Sequence, residues 1–211
     1  MVEAILRNNK KEDCESPYST KAIIDELMTF MLAGSDTTSN LTVFIVLELA
    51  KNPNILKKMK AEIDQQNIKG DEDITALSMK SLTYMEWVVK EGMRLGSPSW
   101  SSTERRTLRN TNIVDIPVSK GTILAYFNFP LFYNNDFFEN AREFRPERWQ
   151  NPTPEQELIV SFVFSSGARN CIGKYLAFVE TKVLLTKFLL QYGGVEEMNE
   201  RVLGATLVYG V

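Results

Sequence analysis

The chain has 211 residues, 44% of them hydrophobic and 24% charged, a balance that supports one sizeable core and excludes general disorder. Its 24 basic and 27 acidic residues leave a net charge of −3 without a basic tract, so a nucleic-acid partner is not expected. Two cysteines, Cys14 and Cys171, lie far apart in unlike contexts, and histidine is absent; this argues for a reducing compartment, against a disulfide framework and against tetrahedral structural zinc.

Residues 1–18 read as a polar lead, charged almost throughout, with no signal peptide or membrane anchor visible in it. Ser19 and Thr20 can cap the helix that follows, predicted over about residues 20–52 and stopped at Asn52-Pro53. Its longest apolar run, residues 41–47, is too short to span a bilayer, and Asp36, Asn40 and Glu48 interrupt the wider segment, so a buried core helix is expected. The middle of that helix departs from pattern. Ala33-Gly34-Ser35-Asp36-Thr37-Thr38 sets poor helix formers and a carboxylate into an apolar segment. Thr37 can turn its hydroxyl to the Ala33 carbonyl and loosen the helix, and Gly34 leaves room for a ligand against the backbone. A small-residue patch where another helix crosses closely would look the same, and both readings stand on this segment alone.

Pro53 opens a second, amphipathic helix whose charges form a solvated face. After the acidic turn at Gly70, a short helix over about 74–79 precedes a longer one over 81–96, which carries Glu91 and Arg94 three apart on one face. Alone, such a pair is a common surface feature. Residues 101–126, opened by Arg105 and Arg106, alternate in polarity and read as short strands of one small sheet with a turn at Ser119-Lys120-Gly121. Phe144-Arg145-Pro146-Glu147-Arg148-Trp149 leads into an irregular stretch up to about Leu158. A helix over 173–190 and a terminal strand or hairpin within 195–211 complete the chain.

Before that last helix stands Phe164-Ser-Ser-Gly167-Ala-Arg169-Asn-Cys171-Ile-Gly173. Gly167 and Gly173 permit a tight turn and close approach of a flat ligand, and Cys171 falls at a helix N-terminus, which suits an anionic sulfur. Such a sulfur is a metal ligand or a nucleophile. The nucleophile reading needs a neighbouring base such as histidine, and none exists, so ligation of iron is the better chemical expectation.

Phe-x-x-Gly-x-Arg-x-Cys-x-Gly resembles the haem-binding loop of the cytochromes P-450, the haem-thiolate monooxygenases. Ala33-Gly34-x-Asp36-Thr37-Thr38, Glu91-x-x-Arg94 and Pro146-Glu147-Arg148-Trp149 resemble further motifs of that family, in its order. The resemblance runs from about residue 18 to the end and covers the family's C-terminal half. It implies a mainly α fold with a minor antiparallel sheet: the polar lead 1–18, then one haem-binding domain over 19–211. It also implies haem b with Cys171 as axial ligand, Asp36 and Thr37 delivering protons during oxygen activation, and Ala33, Gly34, Phe164, Gly167 and Gly173 lining the cofactor. Arg169 and either Arg105 or Arg106, with Arg105 preferred, would meet the haem propionates. Glu91, Arg94 and Arg148 would form a buried triad that locks the loop behind the haem. The sequence departs from the pattern in Gly96-Ser97-Pro98, where two prolines are common, and at Tyr133-Asn134, where a histidine often stands.

The implied reaction is insertion of one oxygen atom from O2 into an apolar small molecule. Electrons would come from a separate flavoprotein reductase or ferredoxin, since no Gly-x-Gly-x-x-Gly is present. A monomer in an intracellular setting is expected; relatives often sit on the endoplasmic reticulum membrane, though this chain shows no anchor. The alternative is a non-catalytic fragment or remnant that keeps the motifs without closing the pocket. The uncovered apolar side of the 20–52 helix would make such a fragment poorly soluble.

Overall fold

The computed structural model describes residues 7, 18–99 and 104–192. Cys14, most of the polar lead and the strand or hairpin expected within 195–211 lie outside the described residues. The fold is mainly helical with a little antiparallel sheet.

Helix α1 (Thr20–Lys51) starts where Ser19 accepts a hydrogen bond from the Ala22 N–H at 3.1 Å, and ends at Asn52 ahead of Pro53. It runs without a break, so the hydroxyl bonds in its middle do not interrupt the backbone ladder. From Thr38 onward a stripe at three- and four-residue spacing, Thr38, Leu41, Ile45 and Leu49, is buried. The N-terminal half differs. After Ile23 no residue is buried before Thr38, and Met31 and Leu32 are 66% and 74% exposed. The expectation of a buried core helix therefore holds for the C-terminal half, where the buried stripe lies; in the N-terminal half only Ile23 is buried. By length and composition alone, α1 could also cross a membrane.

Helix α2 (Pro53–Gln65) has proline in its first turn and buries Ile55, Leu56, Met59 and Ile63. A 3-10 turn, Asp71–Asp73, leads to α3 (Ala76–Ser81), opened by a capping box between Thr75 and Ser78. Helix α4 (Thr83–Leu95) follows after one residue, and its own cap position, Leu82, offers no side-chain acceptor. Glu62 of α2 takes that role: its carboxylate accepts the Tyr84 and Met85 N–H groups at 2.6 and 2.9 Å.

Helix α4 crosses α1 through two glycines four residues apart. A Cβ on Gly92 would lie 2.5 Å from Cγ1 of Ile45, and one on Gly96 would overlap the Phe44 ring. Side chains at these positions would force the helices apart, so the close crossing depends on glycine. Beyond α4, β1 (Arg105–Arg106) pairs with β4 (Ile123–Leu124), and β2 (Thr111–Ile113) pairs with β3 (Ile116–Val118). The single small sheet expected from the alternation is thus two separate ladders, with Gly121 in the left-handed region (φ 89°) on the return path between β3 and β4.

Two further helices lie where none was expected. Helix α5 (Phe129–Phe132) is one turn long, and α6 (Pro154–Ser161) occupies the stretch read as irregular. The signal for α6 was present: Thr153 and Gln156 form a capping box, with Pro154 at the first helical position. The last element, α7 (Lys174–Tyr192), packs against α1, α3 and α4. Its Lys182 is buried and donates to the Met79 and Leu82 carbonyls at 3.1 and 3.0 Å and to the Glu86 carboxylate at 3.1 Å. One ammonium thereby caps the C-terminus of α3 and ties α7 to the first turn of α4.

Candidate functional site: the cysteine loop and the notch in α1

The cysteine loop begins at a 3-10 turn, Phe162–Phe164, and ends at the first residue of α7. Ser165 and Gly167 both adopt left-handed backbone, φ 60° and 82°. At Gly167 this requires no Cβ to be accommodated, whereas Ser165 bears a strained conformation held by its N–H bond to the Phe162 carbonyl at 2.9 Å. The loop closes when the Cys171 N–H donates to the Phe164 carbonyl at 2.8 Å and the Asn170 N–H to the Gly167 carbonyl at 3.2 Å. Phe164 is fixed in turn against α7, its ring 5.9 Å from that of Phe178. Cys171 is exposed at the amino end of α7. Gly173 has no left-handed backbone; its place beside the sulfur is what matters, since a Cβ there would lie 3.7 Å from Sγ.

The notch in α1 presents Ala33, Gly34, Asp36 and Thr37. A Cβ on Gly34 would meet nothing within 4 Å, so the helix borders open space there. Thr37 Oγ1 donates to the Ala33 carbonyl at 2.8 Å, the four-residue bond that the spacing predicts. Asp36 is exposed, and one of its carboxylate oxygens lies 3.5 Å from the Asn40 side-chain amide. The reading as a helix-crossing patch is not met at Gly34, where no helix approaches among the described residues; the close crossing lies at Gly92 and Gly96 instead.

On α4, Glu91 and Arg94 are both completely buried. Arg94 grips Glu91 in a bidentate pair, Nε to Oε2 at 3.0 Å and Nη2 to Oε1 at 2.8 Å, and donates Nη1 to the Phe132 and Ala141 carbonyls at 2.6 Å each. Arg148 Nε reaches Glu91 Oε1 at 3.0 Å, and its other nitrogens bond the Glu139, Asn140 and Glu143 carbonyls. Burial lowers the pKa of the Arg148 guanidinium, while Glu91 beside it pulls the other way. The three residues singled out in the sequence therefore meet.

Trp149, noted in the sequence only as an aromatic, is a fourth member. Its indole N–H donates to Glu91 Oε2 at 2.9 Å. Tyr133, at the position where the resemblance suggests a histidine, donates to the Leu95 carbonyl at 2.7 Å, and burial raises its phenol pKa. It anchors the C-terminus of α4 to the turn after α5.

The two arginines are not brought to the sulfur by any bond in the structure. Arg105 and Arg106 are neighbours on β1, so their side chains leave on opposite faces, and Arg106 already donates to the Gly121 carbonyl at 3.4 Å. Arg169 is exposed within the cysteine loop. An iron porphyrin in this family's manner needs a protein thiolate and open space; Cys171 is exposed, and the flank of Gly34 is open.

The sequence profile of the cytochromes P-450 matches residues 1–200. Among curated proteins, CYP13A3 of Caenorhabditis elegans, named a cytochrome P-450, is 34% identical over 81% of this chain and 33% of its own length. CYP13A1 of the same organism is 32% identical over 96% of this chain and 41% of its own length. Cytochrome P-450 52A13 of Debaryomyces hansenii is 34% identical over 86% of this chain and 37% of its own. The chain thus spans well under half the length of these relatives.

Proposed function

This chain belongs to the cytochrome P-450 family, and we propose that it forms the haem-thiolate portion of a monooxygenase acting on an apolar small molecule. The observation that carries the reading is the exposed sulfur of Cys171 at the amino end of α7, on a loop pinned by its own backbone bond to Phe164. Helix α1, which carries the notch, packs on that same helix.

Cys171 would supply the thiolate that ligates a bound haem, and the N–H groups at the start of α7, which have no partner within the helix, would stabilise the negative sulfur. Haem b, when bound, supplies one-electron oxygen activation, with the thiolate favouring O–O cleavage. Phe164, Gly167 and Gly173 would border a bound haem, and Ala33 and Gly34 would leave room for it. Arg169 and one of Arg105 and Arg106 would hold the propionates; Arg105 donates to the Glu104 carbonyl at 3.2 Å and Arg106 to the Gly121 carbonyl at 3.4 Å.

Thr37 keeps its proton on the Ala33 carbonyl, which leaves its hydroxyl oxygen free to accept a hydrogen bond from water in the notch. In a relay the Thr37 hydroxyl would turn from the Ala33 carbonyl, give its proton to an acceptor in the notch and take one from the water, and the Asp36 carboxylate would exchange protons between that water and bulk solvent. The Glu91, Arg94 and Arg148 cluster takes no part in that transfer. It holds the segment around residues 132–149 to α4, and so fixes the ground on which the cysteine loop stands.

Electrons come from a separate flavoprotein reductase or ferredoxin, and an intracellular setting keeps Cys171 reduced. The exposed N-terminal half of α1, together with the chain's small share of its relatives' length, favours a second reading, a non-catalytic portion that keeps the motifs. One experiment separates the two. The chain is expressed with haem supplied, reduced and exposed to carbon monoxide. The proposed function predicts the red-shifted Soret band of thiolate ligation, lost in Cys171→Ala. A band typical of free haem, unchanged by that substitution, supports the second reading.

A further inference from the structure

A groove of about 870 Å³ runs between α3, α4, α6 and the first turns of α7. Its floor is apolar, built from Met79, Met93, Val160 and Phe178. Its charged lining is unbalanced: four lysines against two glutamates. Lys90 is paired with Glu157 at 2.7 Å and Lys182 with Glu86 at 3.1 Å. Lys80 and Lys174 remain, and neither meets a carboxylate among the described residues; Lys174 instead rests over the Phe164 ring at 5.8 Å. Two surplus cations beside an apolar trough call for an occupant with one anionic end and a long hydrocarbon body.

We propose that this groove binds a long-chain carboxylate, its hydrocarbon along Met79, Met93, Val160 and Phe178 and its headgroup between Lys80 and Lys174. The volume lies within the roughly 300–1,000 Å³ of small-molecule sites. An acidic protein surface would satisfy the two rim cations and leave the concave apolar floor uncovered, so a small amphiphile fits better. The site has a route to the cysteine loop. Phe164 borders the groove, and its carbonyl holds the Cys171 N–H, so an occupant pressed against Phe164 bears on the backbone of the sulfur-bearing residue.

The test needs no haem, so its failure is separate from failure of the haem reading. The whole chain is titrated with anthroyloxy-stearate and followed by fluorescence, with circular dichroism as the check on folding. Saturable one-to-one binding is expected, displaced by stearate and not by stearyl alcohol. Lys80→Glu and Lys174→Glu should each weaken binding about tenfold, a loss of about 1.4 kcal/mol, while Lys57→Glu on α2 leaves it unchanged. Leu158→Trp, at the exposed mouth, should weaken it without a change of charge. Where a glutamate variant loses its helical signal, the methionine variant at the same position replaces it. Equal displacement by the alcohol overturns the proposal. So does parental affinity in both lysine variants, or capture of polyglutamate in place of the acyl probe.

Discussion

The Trp149 indole N–H donates to the same Glu91 oxygen, Oε2, that receives Arg94 Nε, at 2.9 and 3.0 Å respectively. Glu91 also accepts the Arg145 backbone N–H at 3.0 Å through Oε1, alongside Arg94 and Arg148. A buried carboxylate with five donors is fully satisfied, which is the condition under which burying a charge is tolerable. The 3-10 turn Pro146–Gln150 is thereby held to α4 by charge-assisted bonds from the Arg148 and Trp149 side chains and from the backbone N–H of Arg145, the residue before it.

Trp149→Phe removes one bond to a charged group and leaves part of the indole's volume empty, and should cost about 2–3 kcal/mol of stability. Glu91→Gln leaves two guanidinium groups facing a neutral amide in the interior and should cost about 3–5 kcal/mol. Urea unfolding followed by circular dichroism measures both. Equal costs would show that the indole bond and the carboxylate charge are not separable contributions.

Gly92→Ala tests the crossing of α1 and α4. On propensity alone alanine would strengthen α4 by about 1 kcal/mol. The added methyl would stand 2.5 Å from Ile45, so overpacking should win and destabilise by about 1–3 kcal/mol. Ile45→Ala in the same chain should recover part of that loss, relative to the sum of the two single changes, because the methyl then has room.

Gly34→Leu tests the notch. Open space lies beside Gly34, so the apo chain should keep its helicity and gain up to about 1 kcal/mol. Haem uptake, followed by the Soret band, should fall sharply, since the new side chain fills the space assigned to the ring. Undiminished uptake would move the cofactor away from α1.

Acid should loosen the α2–α4 corner through Glu147. Burial pushes its carboxyl up, but hydrogen bonds from Lys58, its own backbone N–H and Tyr84 outweigh that and hold it below the usual carboxylate range. The Tyr84 hydroxyl, raised by burial and by this bond, stays protonated and donates at 2.8 Å. A depressed carboxyl contributes stability that is present above its unfolded pKa and lost as pH falls through its folded one. The difference in urea midpoint between the parent and Glu147→Gln should therefore be largest near neutrality and vanish below the carboxylate range. A difference that persists in acid would assign the effect to packing.

Local rules carried the sequence a long way. Helix α1 begins and ends where its serine cap and the following proline place it, and the Thr37 bond to Ala33 follows from four-residue spacing alone. The mainly helical class, Cys171 as a presented sulfur, and the likeness of four motifs to one family were all legible, because each depends on residues within ten positions of one another. The capping box at Thr153, with Pro154 at the first helical position, is equally local.

Contacts between distant segments were another matter. That Trp149 would complete the Glu91 cluster, that Lys182 would cap α3 from a helix a hundred residues later, and that Gly92 and Gly96 would let α1 lie against α4 could not be read from the chain. Which half of α1 is buried also depended on which helices meet it. Hydrogen-bond caps and helical periodicity are set by neighbours in sequence, so composition and spacing determined most of the helices and the presentation of the Cys171 sulfur. Burial and charge pairing are set by neighbours in space, so only the tertiary structure decided which charges are locked inside, and which lysines are left facing an apolar groove.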